Sequence, residues 1–330
     1  MKLLPGAKIV RLPRSHPPVL VVVIDTEEEF EWGKEFRRDA TCVRAIPALG
    51  RAQRIFDEFR IRPTYVIDYP VATQATSVEV LRGFLDSGRA VIGAHCHPWV
   101  NPPFDEEITP RLTFPGNLDA ALERAKIREL ASAIEASFGA RPVCYKAGRY
   151  GLGPNSAAIL EEEGFDVDLS VCANVDLGPE GGPDYTDASP DTRLFGRARK
   201  LAEIPTTAGF LGWLWPIGPA LRRGFGDGRV ASVLRRVGAL ERIRLSPEGV
   251  EPRDHRRLTR ALVRRGVRVF QFSFHSPSVE PGCTAYVRDE ADLSRFLDAL
   301  RRYFDFFLGE LEGVALTPGE VRERLLAQTG

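Results

Sequence analysis

The residues of this 330-residue chain best equipped for chemistry are two histidines one position apart, in Val91-Ile92-Gly93-Ala94-His95-Cys96-His97-Pro98-Trp99. On an extended strand alternate side chains point the same way, so His95 and His97 present both imidazoles to one point, and Pro98 stops the strand. Imidazole is the commonest nitrogen ligand of divalent transition metals, which gives such a pair its simplest use. The plain alternative is a loop pair that bonds locally. Other polar groups close other apolar runs. Val19 to Ile24 ends on Asp25-Thr26-Glu27-Glu28-Glu29, and Pro142 to Tyr145 on Lys146-Ala147-Gly148-Arg149-Tyr150-Gly151. Asp168 to Val171 leads to Asn174 and Asp176, and Val267 to Phe274 ends on His275-Ser276.

The elements that must carry these groups follow from periodicity. Val19 to Ile24 is a continuous β-branched run of the kind buried on both faces of a parallel sheet. Helical spacing follows over 43–59, then strands at Pro63 to Ile67 and Ala90 to Ala94 flank a helix capped by Ser77. A long amphipathic helix opens at Asn117 and stops at Gly139; Pro154 and Gly164 bracket a shorter one. Leu201 to Pro205 reads as a further strand, 290–308 as a helix and Val314 to Leu316 as a closing strand. This alternation predicts an α/β fold: a distorted (β/α) barrel of seven or eight mostly parallel strands with helical insertions. Ligands of such folds gather at the carboxyl ends of strands, so all the polar clusters above would share one rim. Residues 1–18 read as an N-terminal lead and 19–330 as a single domain. That domain has a Gly/Pro/Asp loop insertion at 178–190 and an Arg-rich insertion over roughly 215–265.

Lysine plus arginine and aspartate plus glutamate both number 45, so no global field attracts nucleic acid or a membrane. Locally the balance differs. Residues 221 to 268 hold fourteen arginines against Asp227, Glu241, Glu248, Glu251 and Asp254. That stretch reads as a solvated helical insert whose arginines pair with acids elsewhere, or as a site for an acidic glycan or a phosphate-bearing lipid carrier. Five cysteines in no paired spacing read as reduced thiols, and no apolar run nears the ~20 residues that span a bilayer, so a cytoplasmic location is expected. His16 and His255 read as surface residues. Trp99, Phe210, Trp213 and Trp215 are candidate sugar-stacking platforms.

The order of these motifs resembles the polysaccharide deacetylase family, carbohydrate esterase family 4 with its chitooligosaccharide-deacetylase homology domain, over about 19–316. That family has a strand-end Asp motif, then a metal-binding His pair closing on His-Pro. A strand-end Arg/Tyr turn and an Asp-bearing loop follow, and a late strand ends in a catalytic His. Here these correspond to Asp25 with its acidic followers, His95 to Pro98, Lys146 to Gly151, the Asp176 region and Phe272-Ser273-Phe274-His275. The chain departs from the pattern in having Asp25-Thr26-Glu27 for two adjacent aspartates. It also has one residue between its histidines instead of three, and Lys146 or Arg149 where the third motif has its Arg.

The resemblance implies a metal-dependent hydrolase that removes an acetyl group, N-linked or O-linked, from an amino sugar or polysaccharide. A divalent metal would sit on His95, His97 and one acid, Asp25 or Glu27, with zinc first and cobalt, nickel or manganese as substitutes. The other carboxylate would be general base, and Asp25 is preferred for that role with Glu27 as ligand. His275 would protonate the leaving amine, Arg149 would orient the base, and a backbone N–H near Tyr150 would meet the oxyanion. Lys146, Tyr150, Trp99 and Asp176 would contact sugar. Two other readings compete: a different barrel amidohydrolase acting on a C–N bond, and a non-catalytic glycan-binding relative with a degraded site.

Overall fold

Twelve strands and ten α-helices follow one another in the computed structural model, which describes residues 4–29, 35–198, 200–226 and 228–329. The strands are β1 (Lys8–Ile9), β2 (Val19–Thr26), β3 (Thr64–Ile67), β4 (Val91–Cys96), β5 (Cys144–Ala147), β6 (Val167–Asp168), β7 (Arg193–Phe195), β8 (Leu201–Glu203), β9 (Ala208–Leu211), β10 (Glu241–Arg244), β11 (Val269–His275) and β12 (Val314–Ala315). The helices are α1 (Gly50–Glu58), α2 (Tyr69–Thr73), α3 (Ala75–Asp86), α4 (Ala120–Phe138), α5 (Ser156–Glu162), α6 (Gly218–Phe225), α7 (Arg229–Arg236), α8 (Pro252–Arg264), α9 (Glu290–Phe304) and α10 (Pro318–Leu326).

Parallel ladders join β11, β2, β3, β4, β5, β6 and β8 in that spatial order. Beyond β8, Thr206 makes single parallel bridges to Cys172 and to Gln271 of β11, which links the two ends of the run without a continuous closing ladder. The result is the expected distorted barrel of mostly parallel strands. β2 is its centre: every one of its eight residues is buried, with β11 and β12 pairing on it besides β3. Burying each of its valines on both faces of a sheet is worth about 1.5–3 kcal/mol.

Along β4 the side chains divide by the two-residue period. Ile92, Ala94 and Cys96 join the apolar cluster that contains Ile127, Leu130 and Ile134 of α4, while His95 and His97 take the other face. α4 itself is set by its ends. The Asp119 carboxylate accepts from the N–H groups of Ala121 and Leu122, and Gly139 adopts φ 83° where a side chain would be strained.

Sequence periodicity passed over several elements. Residues 8–9 of the N-terminal lead pair antiparallel with β7, and β9 and β10 form a separate two-stranded ribbon. Within 178–190 the chain makes a single helical turn at Gly178–Glu180. The Arg-rich insertion becomes α6, α7, β10 and α8, and several of its arginines do pair with acids: Arg256 and Arg260 with Glu310, and Arg257 with Glu241 and Asp254. His255 is not a surface residue. It lies fully buried with Leu258, Thr259 and Leu262 on one stripe of α8, its Nε2 is 2.7 Å from the Ser246 carbonyl, and its ring edge meets Phe272 and Tyr303. No helix among the described residues is long and apolar enough to cross a membrane.

Candidate active site

His95, the fifth residue of β4, and His97, just past its end, bring their Nε2 atoms to 3.1 Å from each other. Glu27, in the segment after β2, places Oε2 3.5 Å from each of them. For bonds of about 2.1 Å at tetrahedral angles, ligand atoms stand about 3.4 Å apart, so the three atoms are spaced as one metal ion requires. The outer ring nitrogens support the same use. His95 Nδ1 lies 3.0 Å from the Lys146 carbonyl, which only accepts, so Nδ1 carries the proton and Nε2 keeps its lone pair. His97 Nδ1 lies 2.8 Å from Glu28 Oε2, the carboxylate–histidine arrangement that orients metal ligands. Two inward lone pairs beside a carboxylate are mutually repulsive unless a cation sits among them. Burial holds both imidazoles below their ordinary pKa, His97 down to about 4, which favours the neutral form that a metal ion would need.

Behind these atoms lies a second layer. Glu28 Oε1 accepts from Trp99 Nε1 at 2.7 Å, and the Glu28 N–H donates to Asp68 Oδ2 at 2.7 Å. Asp68 stands at the end of β3, where its Oδ1 also accepts from the Val71 N–H and starts α2. Burial and the neighbouring Glu28 push Asp68 well above the usual carboxylate range. Burial likewise raises Glu27, with Glu28, Asp25, Asp68 and Glu248 adding their repulsion. Lys146 faces Asp25 and His275 faces Glu248, whereas Glu27 meets only the two neutral imidazoles and other acids, with no cationic side chain against it among the described contacts. The residues present therefore fit a divalent metal.

Asp25, near the end of β2, is held by a buried ammonium: Lys146 Nζ donates to Oδ1 at 2.6 Å and to Oδ2 at 2.8 Å. Burial alone would raise the Asp25 pKa; Lys146, His95 and His275 together outweigh it and hold the carboxyl below its ordinary value. His275, at the end of β11, faces Asp25 Oδ2 through Nε2 at 3.7 Å. On its other side Nδ1 lies 2.8 Å from Glu248 Oε2, and Glu248 Oε1 accepts from the His275 N–H and the Ser278 hydroxyl. Burial would lower the His275 pKa, but Glu248 and Asp25 raise it above the ordinary imidazole value. The ring keeps 15% of its side chain exposed, which makes it the open edge of the cluster.

The structure thus brings Asp25, Glu27, His95, His97, Lys146 and His275 together, and adds Glu28, Asp68 and Glu248. It distributes the other expected residues differently. Arg149 is turned to the rim, where it donates to the Thr113 hydroxyl at 2.6 Å, pairs with Glu180 and lies 4.0 Å over the Phe114 ring; Lys146, not Arg149, reaches Asp25. Arg149 and Tyr150 both have positive φ, 53° and 60°, a strained turn of the kind found at functional sites. The Tyr150 ring lies 5.1 Å beneath Lys146 Nζ. Trp99 is only 1% exposed and stacks on His97 at 4.3 Å, so its faces brace the imidazole and are not offered to a sugar. Asp176 is exposed and accepts from the Gly178 N–H at 2.8 Å, fixing the turn that follows. Phe210 is buried, whereas Trp213 and Trp215 are exposed on the insertion.

No family model matches the sequence, and no curated protein matches it. Solved structures do match in fold. A protein from Mycobacterium smegmatis designated a polysaccharide deacetylase superposes with TM-score 0.59 at 17% identity, covering 99% of this chain and 96% of its own. The PuuE allantoinase superposes with TM-score 0.54 at 16% identity, covering 94% and 90%. A protein from Pseudomonas aeruginosa, also designated a polysaccharide deacetylase, gives TM-score 0.52 at 16% identity, covering 94% and 91%. Together with the parallel, incompletely closed barrel described above, these superpositions show that the chain has a polysaccharide-deacetylase-like fold.

Proposed function

We propose that this protein is a metal-dependent deacetylase that hydrolyses an acetyl group, in the first place an N-acetyl group, from an amino sugar or polysaccharide. The observation that carries the reading is the convergence of Glu27, His95 and His97 next to the separate Asp25–Lys146 and His275–Glu248 pairs. Glu27, His95 and His97 would hold a divalent ion, zinc in the first place, which would supply Lewis acidity toward the acyl carbonyl and acidify water. Asp25, kept ionised by Lys146, takes the proton of the attacking water. The carbonyl carbon becomes tetrahedral, and a backbone N–H at Tyr150 donates to its oxygen. His275, protonated with the help of Glu248, gives its Nε2 proton to the leaving nitrogen as the C–N bond breaks, releasing amine and acetate. Positioned acid and base groups of this kind contribute about 10²–10⁴-fold each.

The test is direct. The purified chain is dialysed, its bound metal is measured, and acetate release from acetylated amino-sugar oligomers is followed before and after chelation and with zinc or cobalt restored. The expected result is roughly one ion per chain and acetate release that chelation stops. A folded protein that neither holds metal nor releases acetate would end this reading.

A further inference from the structure

One surface of the protein has no part in the chemistry above. The segment between β9 and β10 folds into the hairpin of α6 and α7, and its outward face is apolar. Trp213 is 73% exposed, Val233 60% and Val237 65%, and Ile217, Phe225 and Val230 are exposed beside them. Val230, Val233 and Val237 recur at three- and four-residue spacing, so they form one stripe along α7. A stripe of this kind normally packs on a core, yet here it faces outward.

The charge around the stripe is mainly basic, with Arg223 paired to Asp187. Residues 213–237 hold five arginines against one acid, Asp227. Arg229 and Arg236, seven residues apart along α7, are both exposed and flank the valines. Between the hairpin and β10 lies a groove of about 290 Å³, lined by Leu221, Phe225 and Leu234 together with Arg222, Arg235 and Arg242 and one acid, Glu241. Exposed tryptophan, an aliphatic stripe and flanking arginines on short amphipathic helices are the pattern of elements that lie in the headgroup region of a bilayer.

We infer that the α6–α7 hairpin docks this protein on an anionic lipid surface. The valines and Trp213 enter the acyl boundary, Arg229 and Arg236 meet headgroup phosphates, and the groove takes a headgroup. The hairpin is carried at one end of the β9–β10 ribbon, where Leu211 pairs with Glu241. The chain leaves the other end at Arg244 and continues to Glu248, which holds His275, so the docking face and the proposed catalytic cluster sit at opposite ends of the ribbon.

The experiment is sedimentation of the full chain with vesicles of phosphatidylcholine, with and without phosphatidylglycerol, at low and high salt. The expected result is binding to the phosphatidylglycerol vesicles, weakened by salt, with a blue shift of tryptophan emission. Arg229→Gln with Arg236→Gln should lower partitioning by roughly 30-fold, at about fivefold for each arginine. Val233→Ser with Val237→Ser should lower it about tenfold or more. Neither pair should change circular dichroism or bound metal. No binding at low salt, equal binding to both vesicles, or binding indifferent to both double variants would overturn the inference. So would a vesicle-free dimer that the valine variant converts to monomer, since the face would then be an interface between two copies.

Discussion

Nδ1 of His275 stands 2.8 Å from Oε2 of Glu248, while Nε2 of the same ring stands 3.7 Å from Oδ2 of Asp25. One imidazole therefore bridges an acid that only orients it and an acid with its own cationic partner. The ring's two nitrogens have different settings: Nδ1 is anchored by Glu248, and Nε2 turns toward Asp25, where the proposed function would have it transfer a proton.

Glu248→Gln separates those tasks. Burial would lower the His275 pKa if Glu248 did not oppose it. A general acid works protonated, so activity should fall as pH rises through the raised His275 value, and in the variant that fall should come at lower pH. Turnover should drop about 10²-fold with bound metal unchanged. Stability has the same sign: the raised value stabilises the fold below the ordinary imidazole pKa and the gain is lost as pH rises through the folded value. pH–rate profiles and urea midpoints across pH check both. An unshifted alkaline limb would exclude Glu248 as the residue that tunes His275.

Lys146→Met should leave Asp25 as an uncompensated buried charge. Loss of one partner of a buried pair costs about 3–5 kcal/mol. The depressed Asp25 pKa now stabilises the protein above the ordinary carboxylate range, a gain lost as pH falls through the folded value. In the variant burial pushes Asp25 upward, so the acid limb of activity should move to higher pH. Lys146→Arg should restore part of the stability. Denaturant curves for the two variants decide it.

Glu28→Gln leaves one side-chain acceptor for two donors, His97 Nδ1 and Trp99 Nε1, so one of them loses its partner. Loss of such an outer partner lowers metal affinity about 10–100-fold. Competition against a chelator should show that loss for Glu28→Gln and a larger one for Glu27→Ala or His97→Ala. Equal affinity in wild type and His97→Ala would remove His97 from the ligand set.

Gly148→Ala tests the packing under the metal pair. A Cβ there would meet the Cys96 carbonyl and lie 2.6 Å from Cδ2 of His97. Overpacking of that kind costs about 1–3 kcal/mol and should displace the imidazole, so metal affinity should fall with stability. Gly83→Ala in α3, with no atom within 4 Å of its new Cβ, is the control. It should gain about 0.5–1 kcal/mol through helix propensity.

Much of the barrel was legible because its strands are short apolar runs with polar tips, and the tips carry the site. Val19 to Ile24, Val91 to Cys96 and Val269 to Phe274 announce themselves by β-branched and aromatic content. Asp68 shows the same rule unused: it follows the predicted strand at Pro63 to Ile67 and lies at that strand's tip. Glu248 was hidden because β10, Glu-Arg-Ile-Arg, alternates two arginines with other residues and looks like part of a charged insert. Lys146 and Arg149 were indistinguishable in sequence. β5 orients Lys146 inward, whereas the left-handed turn after it sends Arg149 to the rim, and no periodicity encodes that turn.

Cys96 is flanked in sequence by the two histidines, yet the pleat turns it into the apolar layer under α4, and burial pushes its thiol up to about 12. A sulfur between the two histidines is thereby withheld from the proposed metal site and from the solvent. Alkylating reagents and peroxide should react at the exposed Cys42 and the half-buried Cys283 and spare Cys96, so the proposed activity should survive oxidising surroundings.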